Sequence, residues 1–371
     1  MAAFNILARD HSLEVEWPDG MRAEFPWIWL ADNEPAAFHP QTEERVFNLT
    51  ETAEDLRPLS VTPAEEAILV AWPGRAGETA IRLDWLRSHI PGNRRPDPAA
   101  IAPQLWRGRE GIGAVPHFSA PRILRLDGEL RAWLEEIVRY GVSLVDGIEG
   151  TPEAGVAIAE RIGFLRRTNF GTTFEVISKP DPNNLAYTSQ ALPLHTDLAN
   201  QEVPPGYQFL HCIANDAEGG GSVFCDGFAV AEDLRTRHPE AFAVLSQTEI
   251  PFRFHDRDTD IRGRFPVIGC GADGSVREIR FNAHLVDIVD LSGSELAAFY
   301  PAYRKFMRML RDPAYTLTLR LSAGEMVAFD NRRVLHGREA FEPATGFRFL
   351  SGCYVDRGEL LSRIRVLART T

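Results

Sequence analysis

The chain lacks most of what would mark a secreted, membrane-bound or nucleic-acid-binding protein. It carries only four cysteines in 371 residues, Cys212, Cys225, Cys270 and Cys353, with no CxxC spacing among them. That scarcity argues against a disulfide framework, and reduced thiols in the cytoplasm are the expectation. No apolar run approaches the length that crosses a bilayer. The opening stretch "MAAFNILARDHSLEVEW" has neither the basic start nor the long apolar core of a leader peptide. Net charge is 40 − 52 = −12, so electrostatics disfavours nucleic acid or an anionic membrane as partner. Internal repeats and low-complexity tracts are missing too. What remains is ordinary globular composition, 44% hydrophobic and 25% charged.

The texture changes along the chain. Residues 1–92 read as a small β-rich unit: "LEVEW" alternates, "PDG" turns, "AEFPWIWLADN" returns, and "AILVAW" and "TAIRLDWL" add strands. Residues 93–122 are rich in Pro and Gly without periodicity, which predicts a linker or a loop laid over a neighbour. From 123 to 371 a larger unit begins with a helix over "DGELRAWLEEIVRY" closed by Gly141, then a buried strand "VSLVDGI", then a helix opened by Thr151 and Pro152. Many short strands follow, interrupted by one long helix with Ser292 and Glu295 in capping-box spacing and a kink expected at Pro301. Short strands around one core with helices outside predict a mainly β, α+β fold whose larger unit is a double-stranded β-helix, or jelly roll.

Within "LPLHTDLANQ" (192–201), His195 and Asp197 are two positions apart. In a strand they project to the same side, as a hydrogen-bonded pair, a surface accident or two ligands of one metal. His336, in "FDNRRVLHGR", is by itself a packed or solvent-facing imidazole or a third ligand; it is 141 residues away, a separation that a jelly roll closes readily. Two histidines and one carboxylate make the facial set that holds non-haem Fe(II) and leaves positions open. Arg348, in "GFRFLSGCY", shares a strand face with Leu350, Gly352 and Tyr354. Directed inward it calls for a carboxylate, which a guanidinium binds through two parallel hydrogen bonds; directed outward it is an ordinary surface arginine.

These residues, with "GGGSVFCDGF", "NNLAYT", "PPGYQFLHCI" and "LLSRIRVL", resemble the γ-butyrobetaine hydroxylase-like branch of the taurine dioxygenase superfamily. The resemblance implies an Fe(II)- and 2-oxoglutarate-dependent dioxygenase that uses O2, is helped by ascorbate in vitro, and hydroxylates a small molecule. His195, Asp197 and His336 are then the iron ligands, Arg348 holds the distal carboxylate of 2-oxoglutarate, and Ser222 helps hold the carboxylate beside the metal. A homodimer is a further expectation. A barrel that binds without turnover, as a sensor, is the contrasting reading; retention of all four ligand and arginine positions argues against it.

The same resemblance implies a substrate pocket. Phe170, Phe174, Tyr187 and Tyr354 match positions that cage a trimethylammonium group, which accepts ring faces because it cannot donate hydrogen bonds. Asn184 and Asn282 match positions that meet the substrate's anion. Arg280, read as lying on the same strand face as Asn282 in "EIRFN", adds a full positive charge if it points inward and then favours a phosphonate. The family's small domain usually carries zinc on cysteines that follow a "WLRDN" phrase. Here the phrase is "WLADNEPAAFHP", and His39 and His89 alone cannot complete a tetrahedral site, so no zinc is expected. The first substrate expectation is 2-(trimethylammonio)ethylphosphonate, hydroxylated next to phosphorus, with γ-butyrobetaine as the alternative.

Overall fold

The computed structural model describes residues 4–177 and 188–370. The chain divides into two compact units, Met1–Asp97 and Pro98–Thr371.

The first unit holds two three-stranded antiparallel sheets, Asn5–Ala8, Ser12–Glu16 and Arg22–Pro26 in one, Ser60–Pro63, Ala67–Ala71 and Glu78–Arg82 in the other. Leu13, Val15, Phe25, Ile68, Val70, Trp72 and Ile81 alternate inward to form its core. Two stretches expected to be strand turn helical instead, Trp27–Asn33 and Leu83–Ser88. The helix Trp27–Asn33 ends at Glu34, whose carboxylate is fully buried and accepts hydrogen bonds from Trp72 Nε1 (3.1 Å) and from Arg75. Glu34 stands directly after "WLADN", and an ion pair ties that helix end to the turn after Ala67–Ala71.

In the second unit a four-stranded sheet, in the order Leu192–His195, Val334–Arg338, Ser222–Asp226, Thr316–Leu319, meets a six-stranded one. The latter runs His117–Ser119, Val142–Asp146, Met326–Asp330, Tyr207–Asn215, Arg348–Val355, Thr173–Ile177. All neighbours are antiparallel except the first pair of the larger sheet. Period-2 alternation divides each strand between two environments. Leu210, Val327, Phe329 and Leu350 point between the sheets and meet Phe224, Leu317 and Val334. Phe209, Met326, Ala328, Cys353 and Val355 point outward, under the helices Asp127–Tyr140, Pro152–Glu160 and Arg357–Thr370. This is the double-stranded β-helix that the strand pattern predicted.

Several local signals hold. Gly141 caps its helix in the left-handed conformation at φ 76°, and Ser292 and Glu295 close a capping box. The long helix runs through Pro301 from Gly293 to Leu310. Of the two forms expected for the Pro/Gly-rich segment, linker or loop laid over a neighbour, the part from Pro98 onward takes the second. It carries the helices Gly108–Ile112 and Ala120–Arg125 and buries Trp106, whose backbone N–H donates to Asp226 Oδ2 (3.1 Å) and whose indole donates to the Tyr140 carbonyl (2.8 Å). A single buried tryptophan outweighs a Pro/Gly-rich composition here.

Candidate active site

His195 ends its strand directly opposite His336 in the neighbouring one, and the two rings lie 4.3 Å apart between centroids. His195 Nδ1–H donates to the Pro193 carbonyl (2.9 Å), which leaves Nε2 as the free lone pair. Asp197 is not on the strand. It sits in the turn that follows, where Leu198 takes a left-handed conformation at φ 55°, uncommon for a residue with a branched side chain. The two residues converge because the chain bends, and strand alternation is not the cause.

The bend is latched from outside. Asn331, buried in the turn before the His336 strand, accepts from Asp197 N–H (2.7 Å) and donates to the carbonyls of Asp197 and Pro205 (3.1 Å each). The Tyr354 hydroxyl donates to Asp197 Oδ2 at 2.6 Å. Oδ1 is thereby left facing His195 Nε2 (3.2 Å) and His336 Nε2 (3.7 Å). One donor atom from each of the three residues lies within 4.8 Å of the others, close enough to share an ion. Burial opposes the charge on Asp197, but both imidazoles and the Tyr354 bond outweigh it and hold the carboxyl far below its usual range. Burial and the neighbouring His195 push His336 down to about 3, so its imidazole is neutral. An ionised buried carboxylate beside a neutral imidazole is a donor set made for a cation, and it fits Fe(II).

Arg348 opens its strand on the barrel side, the inward of the two directions left open, and shares that face with Leu350 and Tyr354 as the alternation predicted. Its guanidinium is buried, and no carboxylate meets it among the described residues. Nε has no hydrogen-bond partner there, and Nη2 reaches only the Gly220 carbonyl at 3.5 Å. Burial and the nearby Arg338 pull it down to about 10. Gly220, at φ 69°, makes room for it: a Cβ there would come within 3.1 Å of Arg348 Nε. A buried guanidinium with an unanswered donor fits the far carboxylate of a 2-oxo diacid. Ser222 lies on the adjoining sheet and lines the same cavity.

That cavity, of about 300 Å³, is lined by all three donors, Arg348, Phe170, Phe174, Asn282 and Tyr354. Phe174 stacks on Tyr354 (centroids 5.0 Å), with Gly352 leaving the space its ring occupies. Phe170 meets Phe254 edge-on at 5.3 Å. Asn282 reaches the Thr196 carbonyl (3.4 Å) and accepts from His284 N–H (3.1 Å). Asn184 and Tyr187 lie outside the described residues.

Arg280 is a correction. Its strand stops at Ile279, and the side chain turns away from the cavity. Its donors go to the carbonyls of Gln201 (2.6 Å) and Glu202 (2.7 Å) and to Glu278 (3.2 Å), and Phe265 covers its face at 3.7 Å. It is a buried cross-brace with no charge to spare. Conversely, sequence reasoning missed Phe254, His284, Asn331 and the hydroxyl role of Tyr354. Only Asn331 carried a local signal, the turn-forming "DN" before the His336 strand.

Three facial donors and an inward guanidinium at the mouth of a jelly roll define a non-haem iron oxygenase that takes a 2-oxo acid as cosubstrate. Residues 101–354 match the taurine catabolism dioxygenase TauD, TfdA family, and residues 5–89 match the gamma-butyrobetaine hydroxylase-like N-terminal domain. A gamma-butyrobetaine dioxygenase of Pseudomonas sp. (strain AK-1) is 41% identical over 360 residues, covering 96% of this chain and 94% of that protein. The gamma-butyrobetaine dioxygenase of Homo sapiens is 29% identical over 369 residues, covering 96% and 94%. Among solved structures, an asparagine oxygenase in complex with Fe(II), 3-hydroxyasparagine and succinate shares the fold at TM-score 0.50 and 19% identity, over 62% of this chain and 79% of that one. The chain belongs to the TauD/TfdA dioxygenase family and is an Fe(II)- and 2-oxoglutarate-dependent dioxygenase.

Proposed function

We propose that this enzyme hydroxylates a C–H carbon of a small trimethylammonium carboxylate, with γ-butyrobetaine as the substrate. The aromatic wall carries the reading. Phe170, Phe254, Phe174 and Tyr354 present ring faces and edges to a cavity that also holds the metal donors. A buried quaternary ammonium gains on the order of 0.5–2 kcal/mol from such faces. The 41% identical relative named for γ-butyrobetaine supports the same class.

The choice of carboxylate over phosphonate follows from Arg280. The phosphonate expectation drew on the missing zinc cysteines of the small domain and on an additional cation in the pocket, and Arg280 spends its donors elsewhere. Asn282, an uncharged amide on the cavity wall, suits a single carboxylate.

In this reading His195, Asp197 and His336 hold Fe(II), and Arg348 with Ser222 orients 2-oxoglutarate. When bound, the metal and cosubstrate supply oxidative decarboxylation to succinate and carbon dioxide coupled to C–H hydroxylation. The chain's own work is positional. The ring faces fix the cation, Asn282 fixes the anion, and one C–H bond is thereby aimed at the metal donors. Leu192, Leu198, Leu285 and Leu350 give the surrounding wall an apolar surface. The unpaired cysteines, three of them buried, support a reducing, cytoplasmic setting.

The test is succinate release with Fe(II), ascorbate and 2-oxoglutarate, run in parallel with γ-butyrobetaine, 2-(trimethylammonio)ethylphosphonate and no substrate. We expect the carboxylate to give the higher kcat/KM. A preference for the phosphonate overturns the choice, and no substrate-dependent succinate with any trimethylammonium compound overturns the class.

A further inference from the structure

We propose that Tyr354 is a positioning residue that couples the cation wall to the metal centre. One side chain faces both. Its ring stacks on Phe174 at 5.0 Å with an interplanar angle of 30° and forms part of the cavity lining. Its hydroxyl donates to Asp197 Oδ2 at 2.6 Å, a short charge-assisted hydrogen bond. The residue is 4% exposed and sits near the end of a strand paired on both sides, so neither end of the side chain can move without the other.

The consequences run in both directions. Asp197 lies in a turn, where a carboxylate is free to rotate unless something holds it. Asn331 fixes its backbone, and Tyr354 alone fixes its second oxygen among the described hydrogen bonds. Holding Oδ2 leaves Oδ1 to the two imidazoles, which presents a one-oxygen ligand to the ion. Partners of ligands at this remove typically alter metal affinity by about 10- to 100-fold. In the other direction, a cation against the ring face draws electron density from the phenol and strengthens the O–H donor. Donation into Asp197 then changes with occupancy of the pocket. The coupling rests on the trimethylammonium reading above; the tether does not.

The experiment uses Tyr354→Phe, which keeps the ring and removes the hydroxyl, with Tyr354→Leu removing both. Co(II) binding is followed by calorimetry and by its visible absorption, without turnover. In the absence of betaine, Tyr354→Phe should bind Co(II) about 10-fold or more weakly while melting near the wild-type temperature before metal is added. Wild-type Co(II) affinity in that variant overturns the tether. With 2-oxoglutarate present, γ-butyrobetaine should shift the Co(II) spectrum and affinity of the wild type, and the shift should vanish in Tyr354→Phe although γ-butyrobetaine still binds. An equal shift in both proteins overturns the coupling. If γ-butyrobetaine fails to bind the wild type at all, the substrate reading and the coupling fall together, while the metal affinities still decide the tether.

Discussion

His195 and His336 are register partners across two antiparallel strands, and the contact between their rings, 4.3 Å between centroids, closes a gap of 141 residues. The register shifts between Leu192 and His195, so the first strand carries an irregularity just before its histidine and still sets it opposite His336. Only Asp197 needs help, from the bend at Leu198 and the Asn331 latch. A ligand set assembled this way exists only in the folded chain, so metal binding stabilises the native state by mass action, about 2.7 kcal/mol when the free ion is at 100 times its dissociation constant. We expect Mn(II) or Fe(II) to raise the melting temperature of the wild type and to leave that of Asp197→Ala unchanged. An equal rise in both would detach these residues from the metal.

Arg348 is expected to govern the cosubstrate and little else. Its buried donors face no carboxylate of the described chain. Removing one partner of a desolvated charge pair typically costs about 2–5 kcal/mol. Arg348→Met should therefore raise KM for 2-oxoglutarate by at least about 30-fold while metal binding persists. Arg348→Lys should recover only part of this, because an ammonium cannot make two parallel hydrogen bonds. Steady-state kinetics at varied 2-oxoglutarate reads it directly.

The contrast between Arg348 and Arg280 shows where a linear pattern stops being informative. Arg348 opens a long strand that continues to Val355, so the residues sharing its face could be read from the alternation. Arg280 lies one residue past a strand end, where Ile279 closes the ladder and alternation no longer applies. The jelly roll, the two histidines and Asp197 were legible because each belongs to a recurring local phrase. Asn331, Phe254 and His284 were not. Their roles come from contacts with distant segments that no spacing encodes. Trp106 misled in the opposite sense, since its Pro/Gly-rich surroundings hide a buried anchor.

Arg280 itself yields a stability prediction. Arg280→Ala leaves two backbone carbonyls and Glu278 with fewer partners and uncovers Phe265. Loss of such buried bonds costs about 1–3 kcal/mol. Urea melts should show that loss, and the carboxylate-to-phosphonate preference of the variant should match the wild type. A preference that moves with this substitution would return Arg280 to the substrate site.

The first unit should hold together without a metal. Glu34, fully buried at the end of its helix, is answered by Arg75 and by Trp72 Nε1. Burial pushes the Glu34 carboxyl up, against the pull of Trp72 and Arg75. Such a pair adds little net stability when intact, but removing its cation strands a buried charge, at about 3–5 kcal/mol. Arg75→Ala should destabilise markedly and Glu34→Gln much less, since the amide still accepts from Trp72. Incubating the wild type with a strong zinc chelator should leave the melting of this unit unchanged, and a chelator-induced loss would show that a metal is present after all.

His211 predicts how stability depends on pH. Its ring is 1% exposed and neither nitrogen has a hydrogen-bond partner among the described residues. The helix Pro152–Glu160 presses on it at Gly155, where an added Cβ would come within 2.9 Å of the ring. Burial lowers its pKa below the ordinary 6.5. The folded state therefore prefers the neutral ring, while the unfolded chain takes up a proton near pH 6.5. The stability this preference contributes is complete above that pH and is lost as pH falls below it, by at most about 1.4 kcal/mol per pH unit for one proton. In the metal-free protein His284, lowered by burial and by His195, and His336, pushed down to about 3 by burial and by His195, add to the same slope. His195, raised against its burial by Asp197, opposes it. Denaturant midpoints of the metal-free protein should fall from pH 7 to pH 5. His211→Leu, close in bulk and without ring nitrogens, should flatten that fall and be the more stable protein at pH 5. Parallel curves for the two proteins would mean that water reaches the ring or that a partner answers it.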